Sequence, residues 1–123
     1  MKTRLPKDDE RYSWTSHVFG KMMQYGISES RIKRIIRFPQ RTEEGIVPQT
    51  VAVMTPAETK RYQEIWVMYA LSKRARAEER GKLRGKTRKQ GRIRIITTWR
   101  YPGKSPERDP IPQDVIEEVR KLL

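Results

Sequence analysis

Two runs limit most strongly what this chain can fold into. Glu64 to Leu71 (EIWVMYAL) and Arg92 to Tyr101 (RIRIITTWRY) are rich in β-branched and aromatic residues, which suit a pleated, buried surface. The first run is apolar on both sides of its alternation, as in a central strand covered on two faces. In the second, alternation puts Arg92, Arg94, Ile96, Thr98 and Arg100 on one face. Ile93, Ile95, Thr97, Trp99 and Tyr101 then form the core side. Between the runs lies Ser72 to Gly91, with nine Lys or Arg, two acids, and only Ala75, Ala77 and Leu83 to bury. Ala75 to Arg80 has the composition for one helical turn. The rest cannot offset the entropy of ordering. The sequence therefore predicts two paired strands joined by a mobile basic arm over 72–91.

The remaining elements follow from caps and periodicity. Ser13 or Thr15 can cap a helix over 16–25, with Val18, Phe19, Met22 and Met23 on one face and Gly26 as its stop. Ser28 caps a second helix, stapled by Ile27 and Ile32 and buried along Ile32, Ile35 and Ile36. Arg31, Arg34 and Arg37 lie off that stripe, and Pro39 ends the helix at Phe38. A strand is predicted over 47–55, interrupted by Pro48, while Glu43 and Glu44 beside Gly45 read as a turn. Residues 1–11 read as a frayed, charged lead. Pro112 to Leu123 forms a short helix, with acids toward its positive N-terminal end and Val115, Ile116, Val119, Leu122 and Leu123 on one side. The expectation is a single α+β domain over 1–123: two N-terminal helices packed on an antiparallel β-meander, then a short C-terminal helix.

A chain of 123 residues suits one domain, and 35% apolar residues suffice for one modest core. The lack of Cys removes disulfides, thiol catalysis, zinc fingers and iron–sulfur clusters. A single His excludes a two-His acid–base pair within one chain. The longest apolar run, Ile65 to Leu71, is too short to span a bilayer, so no membrane role is expected. Met1 to Tyr12 holds no apolar segment that would serve as a secretion signal, which predicts a cytoplasmic protein. No metal-ligand spacing, P-loop, GxGxxG or GxSxG motif is present, so no cofactor is expected.

Charge is concentrated rather than spread. Of a net +13, residues 72–104 carry 13 basic residues and two acids, while the other 90 residues are nearly balanced. Such a field attracts a polyanion to one region. RNA is the expected partner, with Lys73, Arg74, Arg76, Lys82, Arg84, Lys86, Arg88, Lys89 and Arg92 as binding residues and Lys21 beside them. An acidic protein partner, or solvation alone, would use the same charges.

The strand arginines stand roughly 7 to 20 Å apart at the usual rise, a spacing that suits successive backbone phosphates. An exposed face kept soluble by Arg reads identically. His17 shares a helix face with Lys21 and Gln24 and is the one side chain whose ordinary pKa lies near neutrality. Metal-free RNA cleavage needs a base for the 2′-hydroxyl and a cation for the charged phosphorane, roles open to His17 and the strand arginines. An ordinary helix-surface histidine is the alternative.

Thr15-Ser16-His17, Lys21-Met22, Gly26-Ile27-Ser28 and Pro39, eleven residues beyond Ser28, resemble a small domain written T-x-H-x-x-x-[RK]-M-x-x-x-G-I-S. That domain is grouped with the BrnT-type toxins of the RelE/ParE superfamily. The run Arg92 to Arg100 is similar to the last core strand of BrnT-type proteins. Gln24-Tyr25 stands where those proteins usually place a Lys-His pair before the glycine. The resemblance implies a RelE-like fold and metal-independent RNA cleavage, on free or ribosome-bound RNA, restrained by an acidic antitoxin. By position it points to His17, Arg94 and Arg100, with Thr98 as an orienting group. A non-catalytic RNA- or ribosome-binding module on the same scaffold is the alternative.

Overall fold

The computed structural model describes residues 6–46, 49–72 and 91–122. Local capping chemistry sets both N-terminal helices. Thr15 Oγ1 accepts from the Val18 amide at 3.0 Å and starts α1 (Ser16–Tyr25). Gly26 closes it at φ 66°, a left-handed conformation that disfavours a side chain. Ser28 Oγ accepts from the Arg31 amide at 3.2 Å and starts α2 (Glu29–Arg37). Ile27 and Ile32 meet in one buried cluster, as the staple requires. The buried face of α1 is narrower than its pattern suggests, because Val18 and Met22 are buried but Met23 is exposed.

Five strands form one sheet, which runs from edge to edge as Tyr12–Trp14, Ile93–Pro102, Gln63–Leu71, Thr50–Pro56 and Arg41–Glu44. They are β1 (Tyr12–Trp14), β2 (Arg41–Glu44), β3 (Thr50–Pro56), β4 (Gln63–Leu71) and β5 (Ile93–Pro102). Strands β2 to β5 make the expected antiparallel meander, and the two runs flanking the basic segment pair from Leu71–Ile93 to Gln63–Pro102. The sheet as a whole is mixed, however. β1 lies parallel to β5, with Tyr12 opposite Ile93 and Trp14 opposite Ile95. A three-residue strand leaves no periodicity to read, which is why the expected meander lacked it.

The lead into β1 is tied down rather than frayed over the described residues. Asp9 Oδ1 accepts from the Arg11 and Tyr12 amides at 2.8 and 2.6 Å, and Asp8 Oδ1 accepts from the Trp14 amide at 2.9 Å. The Tyr12 amide, helped by Arg11, Lys33 and Arg92, holds the Asp9 carboxyl below its usual range despite some desolvation. Glu43 and Glu44 also depart from expectation. They lie in edge strand β2, where charged side chains protect open backbone groups from a second chain. The turn begins one residue later, at Gly45.

Gly45 donates to the Thr50 carbonyl at 3.0 Å, and a Cβ there would sit 2.0 Å from Thr50 Oγ1 and 2.8 Å from its carbonyl carbon. Gly45→Ala must therefore push the β2–β3 ends apart. A stability loss of about 1–3 kcal/mol is expected, read by urea unfolding. A loss too small to measure would mean the turn yields freely.

Both sheet faces are covered. Val18, Met22, Ile32 and Ile35 of α1 and α2 pack on one face with Val53, Ile65, Val67 and Ile95. On the other face, Val115 and Val119 of α3 (Gln113–Leu122) pack with Met54, Met68, Trp66 and Trp99. The last two rings stack, with centroids 5.9 Å apart. α1 runs beside β5 past the end of β1. Thr15 Oγ1 donates to the Ile96 carbonyl at 2.8 Å, and Arg100 Nε donates to the Tyr25 carbonyl at 3.0 Å. This position along the sheet edge lets α1 reach α3 on the far face. Among the described residues no helix is long and apolar enough to cross a membrane.

Candidate nucleic-acid interface

A single bulge rearranges the predicted arginine face. Met68 opposes Thr97 and Tyr69 opposes Ile95, so Ile96 is an extra residue in β5. One inserted residue sends every later side chain to the other face. Arg94 opposes Ala70, which belongs with the α3-side cluster, whereas Arg100 opposes Ile65 in the α1/α2-side cluster. The arginines do not form one ladder.

The proposed catalytic residues are likewise dispersed. Thr98 is 0% exposed and donates to the Trp66 carbonyl at 2.6 Å, so its hydroxyl closes a backbone gap inside the sheet. Arg100 satisfies the carbonyl end of α1 through Tyr25, where the helix dipole favours a cation. Arg94 is exposed. His17 lies in the first turn of α1, its Nε2 3.5 Å from Glu118 Oε2 on α3. Tyr25, which holds Arg100, lies eight residues on, about 12 Å along the axis at 1.5 Å per residue. His17 and Arg100 thus serve opposite ends of one helix.

Lys21 joins His17 at Glu118. Its Nζ lies 3.0 Å from Glu118 Oε1. Burial pushes the His17 pKa down; Glu118 partly opposes this and Lys21 reinforces it, leaving the imidazole below its ordinary value.

The described residues around the basic segment converge on its two junctions. The Ser72 amide donates to the Arg92 carbonyl at 3.1 Å, and the Arg92 amide donates to Ser72 Oγ at 3.0 Å. Arg11 Nη1 donates to the Gly91 carbonyl at 2.7 Å, and its own carbonyl accepts from Ile93. Beside this junction lies a groove of about 610 Å³ lined by Asp9, Glu10, Arg11, Tyr12, Lys33, Ile36, Arg37 and Ile93. Lys33 lies over the Tyr12 ring, 5.1 Å from its centroid, and pairs with Glu29 at 3.2 Å. Arg92 is exposed and close enough to help lower the Asp9 pKa. Lys73, Arg74, Arg76, Lys82, Arg84, Lys86, Arg88 and Lys89, together with the expected helical turn and mobility of the arm, lie outside the described residues.

Arg11, Lys33 and Arg37 were not singled out as a group by the sequence. The spacing of Lys33 and Arg37 places both on one side of α2, but only the parallel pairing of β1 brings Arg11 to them. Glu64 was missed for a similar reason. It is the one buried acidic or basic side chain among the described residues. Its Oε1 accepts from Trp66 Nε1 at 3.0 Å, Ser105 N at 3.1 Å and Ser105 Oγ at 2.5 Å. Its Oε2 accepts from Tyr62 at 3.0 Å and lies 3.5 Å from Arg41 Nη1. Arg41 also holds the Ser105 carbonyl at 3.0 Å and the Pro106 carbonyl at 3.1 Å. This network fastens the segment after β5 to the sheet; its polar groups point at one another. Among the described residues no three acidic or His side chains gather as a metal set. Comparison with protein families, with curated proteins and with solved structures finds no match.

Proposed function

We propose that this protein binds RNA as a RelE-like module, using the basic segment and the sheet end to which its two junctions belong. The observation that supports this most is the concentration of charge in residues 72–104, with Arg11, Lys33, Arg37 and Arg92 around the anchored junction. Cations concentrated in one stretch of the chain make a polyanion site, while a solvating charge would be spread along it. An acidic antitoxin-type protein covering the same end is the partner this field would recruit, and RNA on the ribosome is one form the target can take. The test is titration of the intact protein with unstructured RNA across a salt series. Affinity is expected to fall steeply, with a log–log slope of about −3 or steeper. A flat slope, or tighter binding of an acidic peptide of matched charge, would overturn the RNA reading.

One observation favours a second, catalytic reading. His17 Nε2 lies 3.5 Å from Glu118 Oε2, and Lys21 Nζ holds the other oxygen of Glu118 at 3.0 Å, so an imidazole, a carboxyl group and an amine meet in one α1–α3 contact. On this reading the protein is a metal-independent endoribonuclease: His17 takes the 2′-hydroxyl proton, the 2′-oxygen attacks phosphorus to give a 2′,3′-cyclic phosphate with Lys21 meeting the phosphate charge, and the 5′-oxygen leaves with a proton from water. Native protein should then cut RNA in the presence of a chelator, and His17→Ala should lose about 10²- to 10⁴-fold. Equal cleavage by the variant would make His17 structural. Binding without cleavage by native protein would leave the non-catalytic module.

A further inference from the structure

Phe38 presents an aromatic ring with no place in either core. It is 73% exposed, the highest value among the large apolar side chains described. The position is well defined, because Phe38 closes α2 with its amide donating to the Arg34 carbonyl at 2.9 Å, and Pro39 follows. Arg34 and Arg37 of the last helical turn precede it, both exposed and both without a side-chain partner among the described residues. Arg37 also lines the groove beside the basic junction, so the ring adjoins that surface through its neighbour in the chain.

We infer that Phe38 is a stacking platform for one unpaired base, which makes single-stranded RNA, rather than duplex, the ligand class of this surface. The inference rests on the RNA-binding reading and adds the state of the strand. A lone ring set among arginines matches a ligand that alternates flat apolar faces with anionic phosphates. Single strands expose such faces, whereas a duplex hides them within its stack. A protein helix would need several apolar neighbours to dock, and here the adjoining residues are Arg37 and Pro39. Arg34 and Arg37, both exposed and within four positions of the ring in the chain, supply cations for phosphates of the strand.

The test uses the full chain and a short unstructured RNA carrying a fluorescent adenine analogue, with an RNA duplex of equal length alongside. Native protein should bind the single strand more tightly and quench the analogue. Phe38→Ala should weaken single-strand binding by about 5- to 100-fold, the usual effect of losing one base–aromatic stack, and abolish the quench. Duplex affinity should not change, and Phe38→Trp should restore both single-strand readouts. The exposure of Phe38 leaves the fold intact, which an unchanged melting temperature would verify. If the variant keeps single-strand affinity and quench, or loses single-strand and duplex affinity equally, the inference is overturned while RNA binding stands. If native protein binds neither RNA, the RNA reading itself has failed.

Discussion

Replacing residues 73–91 with Asn-Gly is expected to leave the sheet folded and to lower affinity for unstructured RNA by about 10²-fold or more at low salt. The sheet should survive because Ser72 and Arg92 already face each other across the β4–β5 end, bonded in both directions. A two-residue Asn-Gly turn suits that geometry. The deletion removes nine cations, all from the most basic stretch of the chain. Each lost phosphate contact should flatten the salt dependence by about 0.7 on a single strand, so engagement of half the cations would change the slope by about 3. An unchanged slope would mean that RNA binds elsewhere. Residual binding should persist, because Arg11, Lys33 and Arg37 remain at the groove and Arg92 remains next to it in the chain at Ile93.

Glu64→Ala should cost about 3–5 kcal/mol, because it strips an acceptor from Arg41, Tyr62, Trp66 and Ser105 together. That corresponds to a melting temperature lower by about 10 °C or more for a domain of this size. A loss under about 1 kcal/mol would show that water replaces the carboxylate readily. Acid stability should carry the same signature. Burial alone would raise the Glu64 pKa, but the hydrogen bonds from Ser105, Trp66 and Tyr62 outweigh it and hold the carboxyl below its ordinary value. A group depressed in the folded state contributes its stability above its unfolded pKa, about 4.3 for Glu. That contribution disappears as pH falls through the folded value. Stability of the native protein should therefore decline in this acid range more steeply than that of Glu64→Gln, which has no proton to gain. Parallel pH profiles would show that Glu64 makes no special contribution.

Much of the candidate surface could be read directly from the order of residues. The charge imbalance of 72–104 is a property of composition, and the strands on either side pair as their content implies. The groove was harder to see. Lys33 and Arg37 face one side of α2, yet Arg11 reaches them through three residues of parallel pairing with β5. His17 was singled out for its chemistry, while its partner Glu118 lies 101 positions along the chain.

What the sequence determined by itself is therefore local. Thr15, Gly26, Ser28 and the Ile27–Ile32 pair bound the helices because capping and stapling act over five residues or fewer. The tertiary structure decided which face each side chain occupies. The bulge at Ile96 parted Arg94 from Arg100, and pairing recruited the short β1 and the acidic β2 into the sheet. It also decided that Glu64 would be buried, among partners drawn from β2, β4 and the segment after β5. Period-2 alternation survives only while the register holds, and register depends on the neighbouring strand, whose position no local pattern encodes.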